Sequence, residues 1–220
     1  MKLNARLPTL VFLGAWNPAI FQPGWIALHL HRIREGETVR GWQALVADTD
    51  PKLISYIADV GIFASTQRLE FFINDFEDGC IRKAEEIAER VFETLPHTPV
   101  GDFGVNFNFV EESPDPELFD KFVTGEKINE HYKVIEDTVS STIDFTKDVT
   151  LKLVRVVSAK SLKFDFNFHH KAATRAEIMG QLRGITQKHL KDAQSLLKTL
   201  YNLEGFEILK HAAPAGGTKQ

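Results

Sequence analysis

Lys163-Phe164-Asp165-Phe166-Asn167-Phe168-His169-His170, KFDFNFHH, carries an aromatic ring at alternate positions. A period of two is what a strand with one buried face requires, because successive side chains point to opposite faces. It sets Leu162, Phe164, Phe166, Phe168 and His170 on one side, and Lys163, Asp165, Asn167 and His169 on the other. An earlier run, GVNFNF from Gly104 to Phe109, divides in the same way, with Val105, Phe107 and Phe109 opposed to Gly104, Asn106 and Asn108. The aromatics need no ligand to explain them, since a sheet lying under helices has one dry face. The polar stripe of Asn106, Asn108, Asp165, Asn167 and His169 is the candidate binding site. It converges only if the two strands are neighbours.

Working outward, Thr9 to Trp16 is a buried strand ended by Asn17-Pro18, and Pro23 opens a helix that runs towards Gly36. The basic Lys2 and Arg6 ahead of an apolar run also resemble a short signal peptide. The strand reading prevails because the apolar pattern continues through Phe21, Trp25 and Ile26. Val39 to Ala47 reads as a strand, and Asp48 to Pro51 as a turn. Ser65-Thr66-Gln67 joins two β-rich runs, Ile54 to Ala64 and Arg68 to Ile73, as a hairpin. Ile81, Ala84, Ala88, Val91 and Leu95 recur at helical spacing, so a helix capped by Asp75 or Asp78 runs to about Leu95. The acidic stretch Glu111 to Asp115 is the connection between halves. Short helical pieces then hold Leu118, Phe119 and Phe122, and Ile128, Tyr132 and Ile135.

Three strand-like runs follow, Ser141 to Phe145, Val149 to Val157 and Leu162 to His169. The T-x-x-E of Thr174 and Glu177 is a capping box. It opens a helix of about seven turns whose inner stripe is Ile178, Leu182, Ile185, His189, Ala193, Leu196 and Leu200. The fold class is α+β, an antiparallel hairpin-rich sheet packed against two long amphipathic helices. One domain covers 1–209, in halves of about 1–111 and 116–209, and 210–220 is a disordered tail. The two Phe-Asn-Phe runs are an echo and do not establish a duplication.

Composition narrows the function classes. The 220 residues carry a net charge of −4, which gives no basic footprint for nucleic acid. The single cysteine, Cys80, excludes an intrachain disulfide and a Cys-based zinc site. No stretch approaches the ~18 apolar residues of a membrane span. Phosphate-loop, dinucleotide, zinc-protease and serine-hydrolase signatures are missing. His29 and His31 would share a face in a strand but diverge by about 200° in a helix. His189, in an apolar stripe, reads as a hydrogen-bonded core histidine, and His97 as a loop residue. Cys80 lies near a helix N-terminus, where a thiol pKa can fall, yet its place beside Ile81 suits a small buried side chain. Gly180 and Gly184, four apart in one helix, would share a face and let a second backbone approach, which makes them the candidate interface.

The stretches LPTLVFLGAWNPAIFQPGWIALHL (7–30), LPHTPVGDFGVNFNFVE (95–111) and KFDFNFHH (163–170) resemble an uncharacterised, sporadically distributed group of bacterial α+β proteins. Its TPV-x-x-x-G-x-N-x-x-[FY] segment falls at Thr98, Pro99, Val100, Gly104, Asn106 and Phe109, and the resemblance covers most of residues 7–205. It implies a bacterial cytosolic protein and carries over no catalytic residue.

Three function classes remain. The first is a non-enzymatic binding or assembly protein that self-associates or meets another protein, through the sheet or the glycine-bearing helix. The second is a small-molecule or nucleotide-processing enzyme with its polar site on the two Phe-Asn-Phe strands. The third, a nucleic-acid binder, is disfavoured by charge. No cofactor, metal or membrane is expected, and the location expected is cytoplasmic.

Overall fold

A computed structural model describes residues 1–34, 36–38, 41–46, 52–112, 114–116, 118, 122, 135–158, 161–172 and 174–210. The chain is α+β, and the described residues form eleven strands in one sheet that is antiparallel apart from a single parallel pair among them. The strands are β1 (Lys2–Asn4), β2 (Leu10–Gly14), β3 (Gly41–Val46), β4 (Lys52–Ile57), β5 (Val60–Ala64), β6 (Arg68–Ile73), β7 (Val100–Glu112), β8 (Glu136–Thr146), β9 (Val149–Ser158), β10 (Ser161–His170) and β11 (Glu207–Leu209). Their order is β3-β4-β5-β6-β2-β7-β10-β9-β8; β1 joins β7 beyond the end of β2, and β11 lies parallel to β1. The helices are α1 (Pro23–Trp25, running on as a π-turn over Ile26–Leu30), α2 (Asp78–Thr94), α3 (Arg175–Leu182) and α4 (Ile185–Tyr201).

The alternation fixes which side meets the helices. Phe103, Val105, Phe107 and Phe109 of β7 and Phe164, Phe166 and Phe168 of β10 are almost fully buried. They form one core with Ile81, Ala84 and Ala88 of α2 and Leu190, Ala193 and Leu197 of α4. The helices cover this side and leave the opposite face of β7–β10 partly open, with Lys163 exposed and Asp165, Asn167 and His169 half-buried.

The strand order has a pseudo-two-fold axis between β2 and β7. Each half begins with a central strand (β2 or β7), runs an antiparallel meander back towards it (β3–β6 or β8–β10), and closes with helix (α2 or α3–α4). Leu10 pairs with Phe71 in the first half as Phe107 pairs with Phe166 in the second. In that register Arg68-Leu69-Glu70-Phe71-Phe72-Ile73-Asn74 matches Lys163-Phe164-Asp165-Phe166-Asn167-Phe168-His169. Ring geometry agrees: Phe12 meets Phe71 edge-on at 5.8 Å and 84°, and Phe109 meets Phe166 at 5.8 Å and 85°. On the axis, the Asn106 backbone N–H donates to the Thr9 carbonyl at 2.7 Å. The second half therefore repeats the first in topology, but the Phe-Asn-Phe echo is not the trace of that repeat. Both echo strands, β7 and β10, belong to the second half and pair with each other.

Several elements differ from the sequence reading. The run from Ile54 to Ala64 is a hairpin of its own, turning at Ala58, whose φ is 53°. The first helix stops at Leu30, well short of Gly36. The C-terminal helix is two pieces, because Gly184 takes a left-handed φ of 74° and starts α4 afresh. The strand Val39 to Ala47 is observed over Gly41–Val46. The turn at Asp48 to Pro51, the piece from Ile128 to Tyr132, Phe119 and the tail after Lys210 lie outside the described residues.

Candidate functional site

On the open face the register brings together four of the five predicted binding residues. Asn106 lies opposite Asn167, and Asn108 opposite Asp165. Asn167 Nδ2 donates to Asn106 Oδ1, and Asn108 Nδ2 donates to a carboxylate oxygen of Asp165. Asn4 of β1 extends the row, its Nδ2 donating to Asn108 Oδ1 at 3.0 Å, while Asn106 Nδ2 reaches the Pro8 carbonyl at 3.4 Å. The result is a ladder of amides and one carboxylate that satisfy each other across three strands.

A notch adjoins the ladder. The chain leaves the edge of β7 after β1 and returns as β2, so Leu7 and Pro8 stand away from the strand and open a cleft of about 230 Å³. Its polar wall is Asn4, Asn106, Asn108 and Asp165, and its apolar wall includes Phe76 and Phe107. His169 stands apart at the other end of the strand, opposite Gly104, where its Nε2 lies 3.2 Å from Asp102 Oδ2.

The predicted interface glycines do not form a common face. Gly180 is in α3 and a side chain there would touch nothing within 4 Å; Gly184 lies at the break with positive φ. A glycine is needed at 184 for its left-handed backbone. The break is held from α2: Glu85 accepts from the Gly184 and Thr186 N–H groups at 2.7 and 2.8 Å, and Glu89 binds Arg183 through both oxygens at 2.6 and 3.1 Å. These carboxylates line a groove of about 640 Å³ between α2 and the α3–α4 junction, where they act as helix caps and anchors.

A pair of histidines that the sequence did not join lies under the helices. His170 Nε2 and His189 Nε2 are 2.9 Å apart; His189 Nδ1 meets Asp192 at 3.0 Å, and His170 Nδ1 meets Gln181 at 3.0 Å. A carboxylate on Nδ1 makes that nitrogen of His189 the donor, so His189 Nε2 accepts from His170 Nε2–H, and the neutral His170 then accepts on Nδ1 from the Gln181 amide turned to present its N–H. Phe168 stacks on His189 at 4.1 Å and Phe103 on His170 at 4.4 Å. Burial lowers both pKa values, that of His170 to about 4. The signal was present, since His170 lies on the aromatic side of KFDFNFHH and His189 in the helix stripe. Their meeting depends on where the helix crosses the sheet.

The remaining candidates carry no chemistry of this kind. Burial pushes the Cys80 thiol up to about 11, the opposite of an activated nucleophile, and its Sγ contacts the Asp59 carbonyl. His29 packs on Trp25, while His31 is pushed down to about 4 by burial and by nearby Lys83 and Arg90. Among the described residues no three His, Cys, Asp or Glu side chains could hold a metal, and no helix is long and apolar enough to cross a membrane. Compared with protein-family models, curated proteins and solved structures, the chain matches none.

Proposed function

We propose that this protein is a non-enzymatic binding or assembly protein that acts through protein–protein contacts on the helix-free face of its sheet. The amide ladder supports this reading best. Asn4, Asn106, Asn108 and Asn167 hold one another at fixed positions in a polar row, with an apolar notch beside them to take a side chain. Amides recognise polar groups without transferring protons, and Asp165 is already engaged by the Asn108 N–H. The resemblance to a bacterial group makes a bacterial cytoplasm the expected setting.

A second reading is an enzyme acting on a small molecule in the notch, where Asp165 is a carboxylate beside the 230 Å³ cleft. It predicts that a small metabolite, and not a protein, raises the melting temperature.

Photo-cross-linking in the native cell tests the first reading. A photoreactive residue replaces exposed Lys163 on the sheet side or exposed Arg82 on the helix side. A discrete protein adduct from position 163 is expected. Adducts from position 82 alone would contradict the assignment.

A further inference from the structure

The pseudo-two-fold exposes a difference at the two ends of the sheet. In the first half β4 is flanked on its outer side by β3 through six residue pairs, Gly41↔Ile57 to Val46↔Lys52. Its counterpart β8 pairs with β9, and among the described residues no strand lies on its outer side. β8 is eleven residues long, EDTVSSTIDFT. Soluble proteins blunt long edges with charged side chains, proline, bulges, short length or a covering helix or loop, because unpaired backbone N–H and C=O groups template further pairing. The charges of β8, Glu136, Asp137 and Asp144, stand near its ends. β8 contains no lysine and no proline, and its one register shift falls at its end, between Asp144 and Thr146. Thr138 to Ile143, TVSSTI, is uncharged and rich in β-branched residues, which suits pairing.

We propose that the outer edge of β8 pairs antiparallel with β8 of a second copy of this chain, about a two-fold axis at Ser141, to give one continuous sheet. The strand is self-complementary in that register. Val139 falls opposite Ile143 of the second copy, Ser140 opposite Thr142, Thr138 opposite Asp144 and Glu136 opposite Thr146, so no acid faces an acid. Moving the axis to Ser140 would set Glu136 against Asp144 and cost the favourable pairing. Parallel in-register pairing would stack Glu136 and Asp144 on themselves. Val139 and Ile143 project to the helix side, where they neighbour Arg155 and Leu151, and Ile143 is 40% exposed. The pairing would cover this apolar strip, and a two-fold isologous contact closes without leading to a fibre. The edge is separate from the amide ladder, so this inference goes beyond the function proposed above.

Light scattering coupled to size-exclusion chromatography of the full chain tests it, with two variants altered at exposed, open-face positions of β8. Wild type is expected at the mass of two chains. Ser140→Lys/Thr142→Lys gathers four lysines at the axis and is expected at the mass of one chain, with unchanged circular dichroism. Ser140→Glu/Thr142→Glu is expected to do the same, and an equimolar mixture of the two variants to recover the two-chain mass. A monomeric wild type would overturn the pairing, and so would a dimer that survives in both variants. Either result leaves the Lys163 cross-link, and the function it tests, undisturbed.

Discussion

The two halves of the sheet share one face and differ on the other. Towards the helices, Leu69, Phe71 and Ile73 of β6 match Phe164, Phe166 and Phe168 of β10, and all six are essentially buried. Away from the helices, Phe72 matches Asn167, and Glu70, paired with Lys52 at 2.8 Å, matches Asp165, paired with Asn108. Around Phe72 the first half builds a second small core. Trp42 stacks on Tyr56 at 4.1 Å, and Tyr56 lies across Gly61, where an added Cβ would come within 2.6 Å of the ring. The second half places amides and a carboxylate instead. Packing against helices constrains one side of the central strands, and the other side is where two topologically equivalent halves can take different work.

The largest effect should come from the shared face, where the halves should respond alike. Phe71→Ala and Phe166→Ala each remove a buried ring and should each destabilise by about 3–5 kcal/mol. Matching losses in urea denaturation would support the equivalence, and a loss confined to one half would break it.

Acid should bring a collective loss. His31 and His170 hold pKa values of about 4 in the fold, His189 is also lowered, and an unfolded histidine titrates near 6.5. Between those values the unfolded chain binds protons that the folded chain does not, so stability rises with pH. Its histidine contribution is full above about 6.5 and is lost as pH falls towards about 4. Denaturation midpoints across that window should fall, and His170→Gln/His189→Gln should flatten the fall.

Gly61→Ala should cost about 1–3 kcal/mol by forcing Tyr56 and Ile54 aside. Gly104→Ala on the polar face meets the Asn167 amide at 3.3 Å, with the Asn106 oxygen at 3.7 Å and the Phe168 carbonyl at 4.0 Å, and should cost less. Equal losses would remove the contrast between a packed and an open face. Smaller still, Asn108→Ala leaves the Asp165 carboxylate and the Asn4 amide without their partner and should cost about 1–2 kcal/mol.

The dry side of the second half was legible because period-two alternation in β7 and β10 is a local property, whereas Phe71-Phe72-Ile73 of β6 is buried on both faces and does not alternate. The convergence of Asn106, Asn108, Asp165 and Asn167 followed once their strands proved to be neighbours. The break before α4 was hidden. Ile178, Leu182, Ile185 and His189 keep helical spacing straight across it, while the group that stabilises it, Glu85, comes from another helix. The topological repeat was hidden for a related reason. Sequence displays β7 and β10 as look-alikes, but equivalence under the axis joins β2 to β7 and β6 to β10, where the inward residues match in character and the outward Phe72 and Asn167 do not.

The most direct test of the functional assignment is the cross-link from position 163 in an Asn106→Ala/Asn167→Ala variant, measured together with its melting temperature. Removing both partners of the Asn106–Asn167 bond leaves only the long contact from Asn106 to the Pro8 carbonyl unreplaced, so stability should barely change. The account predicts a folded protein with a melting temperature close to wild type and no adduct. A variant that melts like wild type and still cross-links in full would contradict it.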